Sequence, residues 1–573
     1  MDFVADFETL TEAPTRVWLW AICPVHHHEK VITGKTISEF FNEIFRDKYN
    51  KGKIYFHNIK FDGYFLLYEL MVNMGYTFKQ GRKLENKTFT CMISNMGQWY
   101  SIKVKTDKGH TITFLDSLKK LPFPVKKIGK DFGLDMQKGD TPLYDMLPYD
   151  YEPSAEEVDY IRRDVGIVAQ ALAIQFAQGL KKMTVGSDAL ASYKELTKKF
   201  RTMYPLLTDE VDAFCRNAYK GGYVYCKPAW RNVTINERGS VFDVNSMYPW
   251  AMKYCMLPYG KPLYFSGEYV QDDDYPLWIA EIYADFTVKP NHVPTIQLKN
   301  NPHFLAREYV EDSTGTDGVK FQKLCLTSVD FELFKQHYDI HEIQWERGYK
   351  FRGCIGAFDL YIDHWMKVKQ ENDGAIRVLA KLMLNSLYGK FAKNPDVTGK
   401  DPYLDDNGII RLTKGKEEIT DTNYLPVGAF ITAWSRHNLI TSIMAVYDRF
   451  IYCDTDSIHL LGEDEPDNIQ IHPSDLGKWK KEVIFQRAKF LRAKCYCEEI
   501  IWGEKKGFLN EPDLKFTVSG LPDYCREVVV DEETTTPLTF DNFAIGTRIK
   551  GKLVQKSTEG GAILTRTEFK IGE

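Results

Sequence analysis

Two aspartates stand one residue apart in Tyr452-Cys453-Asp454-Thr455-Asp456-Ser457, between the apolar runs Phe450-Ile451 and Ile458-His459-Leu460-Leu461. This pattern predicts a hairpin with both carboxylates at its tip. Neighbouring carboxylates in a half-buried site repel and need a compensating cation, and oxygen ligands select magnesium or manganese. Taken alone, the segment also reads as a solvated turn, because Asp and Ser are ordinary turn residues. Asp243, in Val241-Phe242-Asp243-Val244-Asn245-Ser246-Met247-Tyr248-Pro249, ends an apolar strand. It would join the pair if its strand lay beside the hairpin.

A separate acidic set lies near the N-terminus. Asp6 and Glu8 alternate along Val4-Ala5-Asp6-Phe7-Glu8 and so point to one side of a strand. Asn58 and Asp62 fall in Phe56-His57-Asn58-Ile59-Lys60-Phe61-Asp62-Gly63, and Tyr160 and Asp164 are four apart on one helix face. Such a set can hold two metals about 4 Å apart, one activating water and one stabilising a departing alkoxide. Each pair alone is weak evidence, since exposed acids are common.

A third pattern is cationic. In Arg377-Val378-Leu379-Ala380-Lys381-Leu382-Met383-Leu384-Asn385-Ser386-Leu387-Tyr388, a turn of about 100° per residue puts Arg377, Lys381, Asn385 and Tyr388 on one stripe. Leu379, Leu382 and Met383 face the other way. Two cations, an amide and a ring suit a nucleoside triphosphate, and equally suit a plain amphipathic surface helix. Tyr219-Lys220-Gly221-Gly222 offers the close backbone approach a phosphate chain needs. Thr432 with Arg436, and Lys494 with Tyr496, pair hydroxyls with basic groups at short spacing.

The elements that must position these groups alternate strands with helices in the first part of the chain, as in an α/β domain. Asp6 and Glu8 belong to one strand and 53–56 to another. Ser154 with Glu157 forms a capping box opening a helix whose Ile161, Val165, Val168 and Leu172 recur at helical spacing. A boundary falls near Gly186. Residues 255–357 read as an insertion with its own small fold, 358–391 as one long helical stretch, and 394–418 as a loop-like segment. The tail beyond about 525 reads as short strands.

A length of 573 residues calls for about two to four domains. Hydrophobic and charged contents of 44% and 27% are those of a soluble globular chain. The formal net charge of -5 does not announce nucleic-acid binding, although a basic groove can hide in that total. Eleven scattered cysteines predict reduced thiols and a cytosolic compartment. The run His26-His27-His28 predicts an exposed loop. No signal peptide and no apolar stretch of membrane-spanning length are evident.

Taken in order, these residues resemble the family B DNA polymerases, specifically the protein-primed type of the phi-twenty-nine phage group. Met96-Gly97-Gln98-Trp99-Tyr100, Asp116-Ser117-Leu118-Lys119-Lys120-Leu121-Pro122-Phe123 and the run from Lys381 to Lys390 are further family-typical phrases. The resemblance runs from Asp6 nearly to the C-terminus. It implies an α/β and α+β multidomain fold: an RNase H-like 3′-5′ exonuclease domain (1–184), then a right-hand polymerase domain (185–573). The palm would be 185–254 and 419–524, insertion one 255–357, the fingers 358–393, insertion two 394–418 and the thumb 525–573.

Residue by residue, the resemblance makes Asp6, Glu8, Asp62 and Asp164 exonuclease metal ligands, with Tyr160 orienting water and Lys138 as a catalytic lysine. Thr141 departs from the family pattern just after Lys138. Thr9, His57, Asn58, Phe61, Ser117 and Leu118 would hold a frayed primer end. In the polymerase site Asp243 and Asp456 would be the principal metal ligands, Asp454 supporting and Val244 in the metal set. Tyr248 would close the sugar pocket, Tyr388 would stack near the nascent base pair, Asn385 would belong to the nucleotide-binding set, and Lys369, Arg377 and Lys381 would contact the triphosphate. Arg377 stands where the family has lysine. Tyr219, Gly221, Gly222, Thr432, Arg436, Lys494 and Tyr496 would contact primer and template. Ser435 stands where the family usually has alanine.

Implied partners are primer-template DNA, single-stranded DNA, deoxynucleoside triphosphates and a terminal protein whose Ser, Thr or Tyr hydroxyl is the primer. Implied cofactors are two Mg2+ ions per site, with Mn2+ able to substitute. The implied location is the cytoplasm of an infected bacterial host, with no membrane partner. Insertion one would bind the terminal protein and insertion two would encircle DNA. Two competing readings are a nuclease working only at the N-terminal site and a DNA-binding scaffold without activity. Intact Asp243, Asp454 and Asp456 speak against both.

Overall fold

The structure, a computed structural model, describes residues 1–572 except 82, 140–146, 148–150, 298–308, 316–317 and 532–533. Asp140 and Thr141, at the departure after Lys138, lie outside the described residues.

The first unit is an eight-stranded sheet. Its strand Asp2–Thr9 pairs antiparallel with Val17–Pro24 and parallel with Gly52–Phe56, which in turn pairs parallel with Thr111–Asp116. Three parallel strands therefore end at one edge, where such sheets gather functional groups. Those ends deliver Glu8 and Thr9, then His57 and Asn58, then Asp116 and Ser117. The helix Ala155–Ala177 packs across this sheet. The predicted capping box forms, with Ser154 Oγ accepting from the Glu157 N–H and the Glu157 carboxylate accepting from the Ser154 N–H. Ile161, Val165, Val168 and Leu172 are all buried, as their spacing requires.

A second, antiparallel sheet begins at Val224–Cys226 and continues through Phe450–Asp454, Ser457–Leu461, Gly239–Val244, Trp479–Arg492, Cys495–Gly503 and Gly507–Val518. The Asp243 strand thus lies directly beside the Asp454 hairpin, with Asp243 in register with Ser457. The helix Leu425–Ala445 supports the sheet from below, packing Leu439, Ile440 and Ile443 against Phe242, Phe450 and Ile458.

The expected single helical stretch over 358–391 is instead three helices, Asp359–Glu371, Gly374–Ser386 and Tyr388–Phe391. The break falls where Gly374 takes a φ of 53°, a left-handed conformation that glycine adopts without steric penalty. The first two helices pack against each other. Within 255–357 the described residues include a four-stranded sheet, Leu257–Ser266, Leu277–Val288, Gln322–Thr327 and Tyr338–Cys354, with a core that includes Trp278, Ile282, Phe286 and Phe334. The segment 394–418 is a hairpin of Lys400–Leu404 and Ile410–Lys414. Its Ile410 is fully buried in the core of the first unit. The tail has two short strands as expected, but its last two, Arg548–Thr558 and Gly561–Lys570, form a long hairpin. The tip of that hairpin reaches the first unit, where the Thr15 N–H donates to the Glu559 carbonyl at 3.3 Å. All eleven cysteines are free. Among the described residues no helix is long and apolar enough to cross a membrane.

Candidate functional site

The structure builds two carboxylate sites. In the first, Asp6, Asp62 and Asp164 come together from a strand and two helices. Burial pushes Asp6 up to about 7, with Asp164 adding to the rise and Lys138 opposing it. Burial and the charge of Asp6 raise Asp62 well above the usual carboxylate range, and Glu8 contributes to that rise. Burial also raises Asp164, against the pull of Lys138. The Lys138 ammonium bonds Asp164 Oδ2 and rests 4.8 Å from the Tyr160 ring centroid. Burial opposes its charge, but Asp164 and Tyr160 more than offset this and hold it protonated. Asp164 Oδ1 is buried without a hydrogen-bond partner.

Around this site Asn58, exposed at the start of the helix Ile59–Tyr68, takes a left-handed φ of 74°. Non-glycine residues rarely do so. Its N–H donates to Asp116 Oδ1 at 3.0 Å, as does that of Leu118. Asp116 is thus an organising acid that the sequence reading passed over. His57 Nε2–H donates to the Phe123 carbonyl at 2.8 Å, and Nδ1 lies 3.0 Å from Ser117 Oγ. Burial depresses the imidazole to about 4. Ser117 is wholly buried, with its hydroxyl against His57. Phe61 and Leu118 are half-buried at the same edge, and Thr9 is buried beside Glu8.

In the second site Asp243, Asp454 and Asp456 meet at one end of the antiparallel sheet. The Val244 N–H donates to the Asp456 carbonyl at 2.7 Å, tying the two strand ends together. Thr455 holds a φ of 60° at the hairpin tip, and Ser246 one of 54° at the start of the next helix. Burial, with the charges of Asp456 and Glu482, pushes Asp243 up to about 8 against Lys381 and Lys480. Asp456 rises to about 6 through burial and the charge of Asp454. Asp454 accepts from Thr455 Oγ1 at 2.9 Å and pairs with Lys494 Nζ at 3.2 Å.

Facing these acids is a cluster of cations. Arg377 and Lys381 are exposed on their helix with Asn385, as the stripe predicts. Lys369 is half-buried, and its pKa is lowered by burial and by the charges of Lys381, Arg377 and Lys480. Mutually repelling ammonium groups held this close match a polyanion. Lys480 and Glu482 come from the strand beside Asp243, where Asp243 registers with Lys480. They are site residues that the sequence reading missed. Their signal was an alternation within an ordinary strand, indistinguishable from a solvated face.

The remaining predicted contacts divide. Tyr219 is half-buried near Tyr388, and Gly221 is exposed with open space around its Cα. Gly222 has a tighter role: a Cβ there would meet Thr455 Oγ1 at 2.7 Å, so this loop and the hairpin tip pack backbone to side chain. Lys494 is exposed, whereas Tyr496 is buried among rings. Thr432 and Arg436 both turn inward from solvent. Thr432 is buried, and its hydroxyl bonds the Ala429 carbonyl within its own helix. Arg436 is buried, forked onto both oxygens of Asp330 at 2.8 Å and onto the carbonyls of Lys220 and Gly221. It therefore supports the Lys220-Gly221-Gly222 loop from behind.

Both sites fit divalent ions. Among the described residues no three His, Cys, Asp or Glu side chains form a cage for an ion. Small hard cations take one or two carboxylates and draw their other ligands from water and substrate phosphates. Carboxylates held together at the cost of retaining protons, and an unpartnered Asp164 oxygen, are the donor set such ions relieve.

The chain matches the family described as DNA polymerase type B, organellar and viral, over residues 45–155 and 147–472. It is 43% identical to the DNA polymerase of Bacillus phage phi29, over 99% of this chain and 98% of that one. It is 35% identical to the DNA polymerase of Streptococcus phage Cp-1, over 100% and 98%. The phi29 polymerase bound to primer-template DNA superimposes with a TM-score of 0.91 at 41% identity, covering 100% of both chains. Its complex with single-stranded DNA gives 0.90 at 40% identity, covering 100% of this chain and 99% of that one. With this agreement of sequence and fold over the whole length, the chain belongs to the type B DNA polymerases of organelles and viruses, enzymes that copy a DNA template into DNA.

Proposed function

We propose that the chain replicates a phage genome by protein-primed, processive, strand-displacing synthesis, and proofreads with a 3′-5′ exonuclease in its N-terminal unit. The observation that carries this reading is the coexistence of two separate carboxylate sites. One faces a cation cluster and a tyrosine pair; the other faces Asn58, Phe61 and Leu118. As a family member the chain works with a divalent metal ion; the proposal makes this two Mg2+ per site, replaceable by Mn2+. Bound there, the ions would activate the attacking oxygen and stabilise the leaving oxygen of phosphoryl transfer.

The chain's own residues do the rest. Asp243, Asp456 and the main chain of Val244 hold the metal-binding end of the sheet, with Asp454 in support. Lys369, Arg377, Lys381 and Lys480 neutralise an incoming deoxynucleoside triphosphate, Tyr388 and Asn385 lie along the nascent base pair, and Tyr248 fills the place of a 2′-hydroxyl. Tyr219, Gly221, Gly222 and Lys494 approach the DNA, while Arg436, Thr432 and Tyr496 position them. In the N-terminal site Asp6, Glu8, Asp62 and Asp164 are the ligands, and Lys138 and Tyr160 order water. Thr9, Asn58, Phe61 and Leu118 hold the unpaired primer end, with His57 and Ser117 behind them.

The division into 1–184 and 185–573, with palm, fingers, thumb and two insertions as expected above, follows this assignment. The relatives' complexes with primer-template DNA, single-stranded DNA and incoming nucleotide support the same partners here. A terminal protein is proposed as primer and the host cytoplasm as the place of action. The test is a labelled primer-template incubated with and without nucleotides. Extension with nucleotides and degradation without them is the expected pair, and degradation under both conditions would overturn the reading. Transfer of a labelled nucleotide to a protein hydroxyl tests the priming step.

A further inference from the structure

The antiparallel sheet curls onto itself, and a buried polar pair closes the curl. His459 lies on Ser457–Leu461 and Glu498 on Cys495–Gly503, three strands apart in the sheet order. In a flat sheet that separation is about 14 Å. Here His459 Nδ1 is 2.8 Å from Glu498 Oε1, and both side chains are almost inaccessible, at 3% and 2%. A carboxylate only accepts, so Nδ1 carries the hydrogen. The curl follows one of the two intervening strands, Trp479–Arg492, whose register with Cys495–Gly503 slips at Ile484/Phe485, Phe485/Arg487 and Phe490/Arg492. Such bulges bend and coil a strand.

Around the pair the rings of Tyr452, His459, Phe490 and Tyr496 pack mutually, every centroid distance falling between 5.1 and 5.3 Å. Two of these rings come from the Asp454 hairpin and two from the hairpin that turns at Lys494. The Lys494 N–H donates to the Tyr452 hydroxyl at 2.9 Å, and Lys494 holds a strained φ of 54°. Its ammonium then reaches Asp454 at 3.2 Å. A continuous path therefore runs from Glu498 through His459 and the ring cluster to Lys494 and a metal-site carboxylate.

We infer that His459 and Glu498 are positioning residues for DNA synthesis: their hydrogen bond sets how far the sheet curls, and so where Lys494 stands relative to Asp454. An apolar filling of the same space would pack but would not define that register, because only the bond has a direction. The inference rests on the polymerase site proposed above. It makes no demand on the N-terminal site, whose nuclease activity reports folding of the same molecule.

The experiment compares full-length Glu498→Ala, Glu498→Gln and the apolar double variant His459→Phe with Glu498→Leu. Each is assayed for primer extension, primer-template affinity and degradation of single-stranded DNA; Asp454→Ala serves as the control for the site itself. Glu498→Ala should lose about ten-fold or more in the rate of nucleotide addition, with degradation unchanged. Glu498→Gln, whose amide oxygen still accepts from Nδ1–H, should recover most of it. The apolar variant should fold and degrade DNA normally yet extend poorly. In a Lys494→Met background, Glu498→Ala should cost little more, because both act on one element. Wild-type extension by the apolar variant overturns the inference, as does full additivity with Lys494→Met. If Glu498→Ala does not fold, the apolar variant alone decides. Normal extension by Asp454→Ala would instead overturn the site assignment.

Discussion

The rings of Tyr248 and Tyr388 stack, with 4.0 Å between centroids and 22° between planes. Tyr248 follows Asp243 by five residues and Tyr388 leaves the cationic helix, so the stack joins the metal-site strand to the triphosphate-facing helix. A ring clamped on one face is a rigid wall. Tyr248→Val should therefore admit a 2′-hydroxyl, and the preference for deoxyribonucleotides over ribonucleotides should fall at least about ten-fold. The check is the ratio of kcat/KM for the two substrates; an unchanged ratio rejects the wall.

Asp454→Ala or Asp456→Ala should abolish nucleotide addition and spare degradation of single-stranded DNA. The double change Asp6→Ala with Glu8→Ala should do the converse, leaving mismatched primer ends in place. The two sites share no side chain, which is why the losses separate. Both activities measured on each purified variant decide this, and joint loss in a folded protein contradicts the two-site picture.

Asp243, raised to about 8 mainly by burial and Asp456, makes stability depend on pH and metal. A carboxyl with a raised folded pKa is stabilising when protonated, and its contribution is lost as pH rises from about 4 through about 8. The metal-free protein should lose stability over that window. Asp243→Asn should raise its stability at pH 8.5 by on the order of 1–3 kcal/mol, with little effect at pH 4. Added Mg2+ should stabilise the wild type more at pH 8.5 than at pH 6 and release protons on binding. Thermal melts in chelator and in Mg2+ at both values read this out.

Ile410 of the 400–414 hairpin is buried in the core of the N-terminal unit, and an isolated bridge joins Ser94 to Gly399. The hairpin therefore spans from the cationic helices to the first unit, as a brace around DNA must. Electrostatic grip weakens steeply with salt, whereas topological retention does not. Deleting 394–418 should spare the first few additions on an open template, shorten products when trap DNA is present, and stall the enzyme at a downstream duplex. Long products through duplex DNA under trap conditions would reduce the segment to a surface loop.

Lys120, wholly buried, bonds the carbonyls of Leu180 and Lys182 and, at 2.8 Å, Asp188 Oδ2. It thereby pins the Ser117-Leu118 segment to the helix Val185–Thr197 that opens the second unit. Lys120→Met leaves Asp188 buried and unpaired, which costs about 3–5 kcal/mol. Denaturant unfolding should show this loss, and Lys120→Met with Asp188→Asn should recover part of it.

The local elements were legible in the amino-acid order because short-range rules set them. Alternation placed Asp6 and Glu8 on a strand, Ser154 and Glu157 announced a helix start, and two apolar runs flanking Asp454-Thr455-Asp456 announced a hairpin. What the order of residues could not decide was which elements become neighbours and which way a side chain turns once they do. Asp243 became a site residue only when sheet order set its strand against the hairpin. Lys480 and Glu482 joined it because their strand lies on the other side. Arg436 and Thr432 turned inward because packing offers Arg436 the carboxylate of Asp330 from the helix Ser328–His337, and Thr432 a carbonyl of its own helix, in place of solvent. His459 and Glu498 met only because bulges curl the sheet through three strands. Each of these depends on contacts between residues far apart in the chain, whose free energy comes from packing and desolvation that no local pattern records.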